Sequence, residues 1–169
     1  MRGVVVSVNR SETKGVRKTP VPEIEIRPEW GVVGDAHAGP GDRQVSLLAV
    51  ETVARWKTTL AEKRGKESGG AERARPMPDI GPGAFAENLT TRGIDLPRLP
   101  IGTPLRIGAD VRGKVSKIGK EEHPDSFVHK QMGASLIPKE GIFIGILTGG
   151  IVRPGDEILI DANSDSDGQ

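Results

Sequence analysis

GIFIGILTGGIVRPGDEILI, residues 141–160, carries two of the clearest strand signals in the chain. Its first half is apolar enough for a central strand. Its second half places a turn at Arg153–Asp156, where Pro and Gly stand together, before a closing strand at residues 157–160. The segment therefore predicts a β domain with one of its central strands and its last strand close together in sequence.

Five more segments, spread along the rest of the chain, also predict strands. They are GVVVSV (3–8), VPEIEIRP (21–28), QVSLL (44–48), LPIGTPLRIG (99–108) and RGKVSKIG (112–119). VPEIEIRP alternates charge and isoleucine at a period of two, which is typical of a half-buried strand. Together with residues 141–160, these segments predict seven or eight short strands.

One segment predicts an amphipathic helix. AVETVARWKTTLAEKR, residues 49–64, places Val50, Val53, Trp56 and Leu60 at spacings of three and four, so these side chains share one face. Strands outnumber helices too heavily for a doubly wound sheet. The sequence therefore predicts a mostly β protein, a barrel with one or two covering helices.

The length of 169 residues favours one domain, which we place at residues 1–161. Residues 65–82 are polar, rich in Gly and Pro and without periodicity, so we expect a flexible insertion loop there. The acidic, polar residues 162–169 predict a disordered tail.

The composition excludes several kinds of site. The chain has no cysteine, which removes disulfides, thiolate metal sites and cysteine nucleophiles. Lys and Arg total 24 against 23 Asp and Glu, and there is no Tyr, so nucleic-acid binding is not expected. No apolar run approaches the roughly 20 residues of a membrane helix, and the first residues lack a secretory cleavage site. We expect a cytoplasmic protein without membrane contact. The sequence does not determine the oligomeric state, and a homodimer is one possibility.

A basic connector, NRSETKGVRKTP at residues 9–20, is the first candidate for a binding loop. It carries Lys18 with other cations, and Gly15 allows close approach of the backbone to an anion such as phosphate. It lacks the spacing of a P-loop or a dinucleotide fingerprint. The alternative is a solvated loop.

A glycine-rich loop, GDAHAGPGDR at residues 34–43, is the second candidate. The spacing of Asp35 and His37 can bring an oxygen and a nitrogen toward one metal ion, and Arg43 follows on the same loop. The alternative is a tight turn in which the carboxylates accept hydrogen bonds from neighbouring backbone N–H groups.

FAENLTTRGI, residues 85–94, is the third candidate. Asn88 and Thr90 can both donate and accept hydrogen bonds, while Glu87 can take a proton or orient a base. The alternative is that Asn88 and the threonines cap a helix or a turn.

GKEEHPDS, residues 119–126, is the fourth candidate. His123 can move protons near neutral pH, and Lys120 can bind an anion. The alternative is a solvated surface turn, since polar clusters with Pro between apolar runs are usually loops.

Taken in order, these segments resemble one known family. The order is Gly15–Lys18–Pro20, GDAHAG with RQVSLL, GAFAENLTTRGIDL with LPIGT, IGKEEH, PKEGIF and GGIVRPGDEI. This pattern is similar to the MOSC family, named for the C-terminal domain of molybdenum cofactor sulfurase, and in particular to its small stand-alone bacterial members. The resemblance runs from Val4 to about Ile160 and leaves out residues 65–80 and the tail.

The resemblance implies a mostly β, MOSC-type barrel and a role with the molybdenum cofactor, or its tungsten equivalent, without a pyridoxal cofactor. Members carry or deliver sulfur to that cofactor, or use it to reduce N-hydroxylated substrates. Its pterin phosphate needs cationic and amide donors. The residues expected to bind the cofactor are Lys18, Asp35, His37, Arg43, Asn88, Thr90 and Lys120. Those expected to be catalytic are Glu122, His123 and Glu87, with Glu122 as the metal ligand.

The chain departs from the family at the position that carries sulfur. Family members of this type commonly read GKECH with a second cysteine three positions later, where this chain has Glu122 and Ser126. A carboxylate is a hard oxygen ligand and cannot form a persulfide. A cysteine persulfide relay through this chain is therefore excluded.

Three functions follow as alternatives. The first is a protein that handles the cofactor or its pterin precursor, with cofactor-biosynthesis or molybdenum and tungsten enzymes as partners. The second is an oxidoreductase that reduces N-hydroxylated substrates with Glu122 in place of cysteine. The third is a non-catalytic interaction module. A metal hydrolase built on Asp35, His37 and His123 is a fourth, less favoured alternative.

Overall fold

A computed structural model of the chain describes residues 1–67, 79–119 and 140–161. These residues form eleven strands, one α-helix and one 3-10 helix. The strands are β1 (Arg2–Arg10), β2 (Thr19–Val21), β3 (Ile24–Arg27), β4 (Gly31–Val32), β5 (Val45–Ala49), β6 (Leu89–Arg92), β7 (Pro104–Ile107), β8 (Val111–Ile118), β9 (Ile142–Thr148), β10 (Gly150–Val152) and β11 (Glu157–Ile160). Helix α1 (Val50–Glu67) follows β5, and the 3-10 helix (Leu96–Arg98) follows β6.

Seven strands close into a barrel in the order β11, β7, β8, β9, β5, β6 and β1, with β11 pairing back onto β1. Only β5 and β6 run parallel among these pairs. Parallel neighbours need a crossover connection, and α1 lies within the one that joins them. Strand β2 pairs with the far end of β1, and β10, β3 and β4 form a separate small sheet. The predicted mostly β barrel is confirmed.

The two strands predicted from residues 141–160 take their expected places. Strand β9 lies between β8 and β5, with Val45 opposite Ile144 on one side and Val115 opposite Ile144 on the other. Strand β11 closes the barrel, since it pairs with both β1 and β7. The turn before it has the Asp156 carboxylate accepting a hydrogen bond from the Arg153 N–H at 2.9 Å.

Aliphatic side chains form one core that the barrel and the small sheet share. Strand β3 shows the reason for the alternation of isoleucine and charge, because Ile24 and Ile26 are buried while Glu25 and Arg27 are exposed. The same core includes residues from nearly every strand, among them Val5, Val45, Leu47, Leu89, Leu105, Ile107, Val111, Val115, Ile142, Ile144, Ile146 and Ile158. Burial on this scale is the main stabilising contribution to the fold.

The predicted helix is present and longer than expected. It packs Val53 and Trp56 on a second apolar cluster, where Trp56 meets Phe85 edge to face at 5.3 Å between ring centroids. The helix ends at Glu67, so the insertion loop predicted to begin at residue 65 was placed too early. The rest of that prediction, residues 68–78, and the predicted tail, 162–169, lie outside the described residues. Within the described ranges, no helix is both long and apolar enough to cross a membrane.

Candidate functional site

Buried polar side chains collect where three loops meet at one end of the barrel. The loops follow β1, follow β4 and precede β6. Hydrogen bonds join them directly: Lys18 N–H donates to the Gly83 carbonyl, and Ala36 N–H donates to the Ser11 carbonyl, both at 2.8 Å. The buried polar residues here are Ser7, Asn9, Lys18, Asp35, Ser46, Glu87, Asn88 and Thr90.

Lys18 and Asp35 form a buried ion pair. The Lys18 Nζ lies 2.6 Å from Asp35 Oδ1 and 2.7 Å from Oδ2, and both side chains are 1% exposed. Each carboxylate oxygen also accepts one backbone N–H, from Ser11 at 3.0 Å and from His37 at 3.1 Å. A carboxylate has about four lone-pair positions, so these four contacts saturate Asp35. The predicted turn, with backbone N–H groups bound by the carboxylate, is therefore present at Asp35.

His37 completes the environment of the ammonium group. Its Nδ1 lies 3.2 Å from Lys18 Nζ and 3.9 Å from Asp35 Oδ2, and its side chain is 36% exposed. The Lys18 ammonium group thus donates to both oxygens of Asp35 and has a ring nitrogen of His37 within hydrogen-bonding distance.

The ionisation of the pair follows from its surroundings. Burial lowers the pKa of the Lys18 ammonium from its ordinary value, although the hydrogen bonds and charge of Asp35 act in the opposite direction. Burial acts to raise the pKa of the Asp35 carboxyl, but Lys18 and the two backbone N–H groups outweigh it and hold that pKa below its ordinary value. Asp35 is therefore an anion at neutral pH and neutralises the charge of Lys18.

Glu87 binds the backbone of its own loop. Its Oε1 accepts the Gly83 N–H at 2.7 Å and the Thr90 hydroxyl at 2.9 Å, and its Oε2 accepts the Phe85 N–H at 3.1 Å. Burial raises the pKa of Glu87, and these hydrogen bonds oppose the rise. In its ionised form, Glu87 raises the pKa of Lys18 through space. The carboxyl thus shapes the loop that covers Lys18.

Asn88 and Thr90 continue the network across the strands. Asn88 Oδ1 accepts the Ser46 N–H at 3.1 Å and its Nδ2 donates to the Asn9 carbonyl at 3.3 Å. Asn9 Nδ2 donates to Thr90 Oγ1 at 3.0 Å, and Ser7 Oγ donates to Asn9 Oδ1 at 2.8 Å. These contacts tie the starts of β5 and β6 to the end of β1.

Cations lie beside this network on the more exposed surface. Arg43 and Lys117 both face Asp42, at 3.9 Å and 3.8 Å between the charged atoms. Arg10 lies over Gly34, where a Cβ would come within 3.3 Å of its Nη1. We call Arg43 and Lys117 the basic surface. Lys117 lies two positions before Gly119, whose N–H donates to the Gly141 carbonyl at 2.8 Å.

The structure brings six of the predicted site residues into one network: Lys18, Asp35, His37, Glu87, Asn88 and Thr90. Arg43 follows His37 on the loop after β4. Predictions for Lys120, Glu122 and His123 fall outside the described residues. In the described ranges, no three His, Asp or Glu side chains lie close enough to hold a metal ion.

Sequence reasoning missed Asn9 and Lys117. Asn9 is fully buried at the end of β1, and its partners stand about 80 positions away in the chain. Lys117 lies three positions before the predicted Lys120 and on a strand with a bulge beside it. A polar residue at the end of an otherwise apolar strand was the available signal for Asn9.

Comparison with known proteins supports this architecture. A sequence model of the MOSC domain matches residues 34–159. The fold is similar to a crystal structure of the YuaD protein from Bacillus subtilis, at TM-score 0.65 and 18% identity over 94% of each chain. It is also similar to YiiM from Escherichia coli, at TM-score 0.66 and 19% identity, over 98% of this chain and 72% of the other. YiiM from Geobacillus stearothermophilus matches at TM-score 0.63 and 20% identity, over 94% and 75%. No curated protein matches in sequence.

Proposed function

The chain belongs to the MOSC domain family, and from that membership we propose that it binds the molybdenum cofactor, its tungsten equivalent or their pterin precursor. The proposed role is maturation or delivery of the cofactor to a client enzyme. The family is linked to molybdenum cofactor binding or sulfurase-like function. The absence of cysteine limits this chain to handling the cofactor without its own persulfide.

The observation that carries the proposal is the basic surface beside the buried network. A pterin phosphate needs cationic and N–H donors at a surface that the rest of the ligand can reach. Arg43 offers a planar guanidinium with several donors, and Lys117 adds a second positive charge beside the same carboxylate. Arg10 supplies another cation next to the loop that carries Asp35. This donor set fits the phosphate end of the cofactor.

The buried network fixes the loop after β4, on which Arg43 also lies. Lys18 and Asp35 neutralise each other, and their contacts fix the loop that presents His37. We therefore assign the phosphate contacts to the basic surface and give Lys18 a positioning role. Asn88, Thr90 and Glu87 hold the neighbouring loops in register.

When bound, the cofactor would supply a metal able to exchange oxygen or electrons. The described residues offer this metal no ligand group of three acidic or histidine side chains. The carboxylate of Glu122, proposed as its oxygen ligand, lies outside them. The proposal accordingly rests on binding, and reduction of N-hydroxylated substrates stays the alternative activity.

Charge reversal at the basic surface tests the proposal. Protein would be purified anaerobically from a host that makes the cofactor, and retained pterin would be measured by fluorescence after oxidation. Arg43→Glu should lower the pterin content at least about tenfold, because a charge-assisted phosphate contact becomes a repulsion. Arg98→Glu is the matched control. Arg98 is highly exposed and lies in the 3-10 helix that follows β6, whereas Thr90 lies near the start of that strand. Equal pterin in both variants would contradict the assignment.

A further inference from the structure

Asp42 places a carboxylate beside both cations of the basic surface. Its Oδ1 lies 3.9 Å from Arg43 Nε, and its Oδ2 lies 3.8 Å from Lys117 Nζ. The two cations come from different elements, since Arg43 lies on the loop after β4 and Lys117 lies on β8. Each carboxylate oxygen therefore faces a positive charge that the proposed function assigns to a phosphate.

Contacts with two strands hold the polypeptide around Asp42 in place. The Ser116 hydroxyl, on β8, donates to the Asp42 carbonyl at 2.7 Å. Gln44 Nε2 donates to the Gly41 carbonyl at 3.1 Å, and Gln44 Oε1 accepts the Ile146 N–H of β9 at 2.9 Å. These contacts fix the chain on both sides of Asp42. They keep its carboxylate within reach of the cations, although the side chain is 57% exposed.

The geometry of these two pairs suits a contact that a ligand can displace. Both distances are longer than the roughly 2.7 to 2.9 Å of a charge-assisted hydrogen bond. The pair between Lys18 and Asp35, by contrast, has a distance of 2.6 Å and is closed to water. Exposed ion pairs contribute little to stability, so separating Asp42 from its cations costs little.

We propose that Asp42 is an internal anion that competes with the phosphate of the ligand for Arg43 and Lys117. This inference rests on the proposed function for the identity of the ligand and adds a release step to it. A bound phosphate brings further negative charge next to the carboxylate, and like charges repel. Asp42 thus lowers the affinity of the basic surface and pairs with its cations again when the ligand leaves. Because affinity differences at one site arise mostly in the dissociation rate, this competition favours release to a client enzyme.

The test is a titration of the 15N-labelled full chain with inorganic phosphate, followed by NMR at low ionic strength. Asp42→Asn should bind phosphate about three- to tenfold more tightly, because the competing charge is lost while the size of the side chain is kept. Asp42→Glu keeps the charge and should stay within about twofold of the original protein. The gain in Asp42→Asn should shrink as NaCl is added, since salt screens exposed charges.

Asp95→Asn is the matched control for the change in net charge. Asp95 is 59% exposed and pairs with Arg98 at 3.2 Å, so this substitution also removes an exposed, paired carboxylate. Asp42 precedes the start of β5, whereas Asp95 follows the end of β6. These strands are parallel, so the two carboxylates lie toward opposite ends of the barrel. Asp95→Asn should therefore leave the phosphate affinity within about twofold of the original value.

The outcomes separate this inference from the proposed function. Four results would overturn the inference, whether or not the protein carries pterin: a phosphate affinity that is unchanged or lower in Asp42→Asn, an equal gain in Asp42→Glu or Asp95→Asn, a gain that salt does not reduce, or no phosphate binding by any of these proteins. A protein without pterin in which only Asp42→Asn gains affinity would overturn the proposed function. The competition between Asp42 and a bound anion would then still stand.

Discussion

The Nζ of Lys18 lies 2.6 Å from Asp35 Oδ1 and 2.7 Å from Oδ2, in an ion pair closed to water. The pair joins the loop after β1 to the loop after β4. Breaking a buried pair is costly because the remaining charge has no partner. The pair therefore maintains the arrangement of the site, including the orientation of His37.

Asp35→Asn should lower the free energy of unfolding by about 3 to 5 kcal/mol, since it leaves Lys18 buried without a counter-charge. Urea unfolding measures the change. Glu23→Gln is the control, because the pair between Glu23 and Arg153 has a comparable distance of 2.8 Å but is exposed. That control should cost less than about 1 kcal/mol. Similar losses in both variants would contradict the role of burial.

The stability should depend on pH through the same carboxyl. The folded-state pKa of Asp35 is lowered, so its contribution is present above the unfolded pKa of about 3.9 and is lost as the pH falls through the folded value. The difference in unfolding free energy between the original protein and Asp35→Asn should therefore shrink as the pH falls below about 4. A constant difference across urea titrations from neutral to acidic pH would show that Asp35 does not ionise as described.

Gly83→Ala should destabilise the protein by more than about 2 kcal/mol. The residue has φ +83°, and an added Cβ would lie 2.1 Å from the Lys18 carbonyl oxygen, which is backbone and cannot swing aside. Gly15→Ala is matched, since Gly15 has φ +76° with nothing within 4 Å of its Cβ position. It should show only the conformational cost of about 1 to 2 kcal/mol. Equal decreases in melting temperature for the two variants would mean that the approach of the added Cβ to the Lys18 carbonyl does not destabilise the protein.

Glu87→Gln tests whether this carboxyl is structural. An amide NH2 would replace one acceptor that faces the N–H of Gly83 or Phe85. We expect the free energy of unfolding to fall by about 1 to 3 kcal/mol, measured by urea unfolding. Unchanged stability with lost turnover of an N-hydroxylated substrate would instead support the catalytic role predicted for Glu87.

Ile158→Ala should cost about 2 to 5 kcal/mol, because Ile158 is 1% exposed in the strand that closes the barrel. Ile101→Ala is the control at a side chain that is 66% exposed, and it should change stability by less than about 0.5 kcal/mol. Equal effects on the denaturation midpoint would argue against a closing role for β11.

The sequence predicted the parts of the fold that periodicity can report. Alternation at Ile24 and Ile26 predicted β3, and the three-and-four spacing of Val53 and Trp56 predicted α1. Strands β2 and β4 have three and two residues, which are too few to show a period. The helix runs on through Gly65, whose low helix propensity made an earlier end plausible.

The site was predictable only as separate loops. Resemblance to a family brought Lys18, Asp35 and His37 to one place, but nothing local says that Lys18 points inward to Asp35. The pairing of Asn9 with Thr90 spans 81 positions and depends on β1 lying beside β6. Such contacts follow from strand order, which residue patterns do not report.

The most direct measurement is metal and pterin analysis of the unaltered protein, purified anaerobically from a host that makes the cofactor. We predict pterin in near-stoichiometric amount, with molybdenum or tungsten when the mature cofactor is bound and without metal when the precursor is bound. A well-folded protein with neither pterin nor metal would contradict cofactor binding, and the family scaffold would then have to serve as an interaction module.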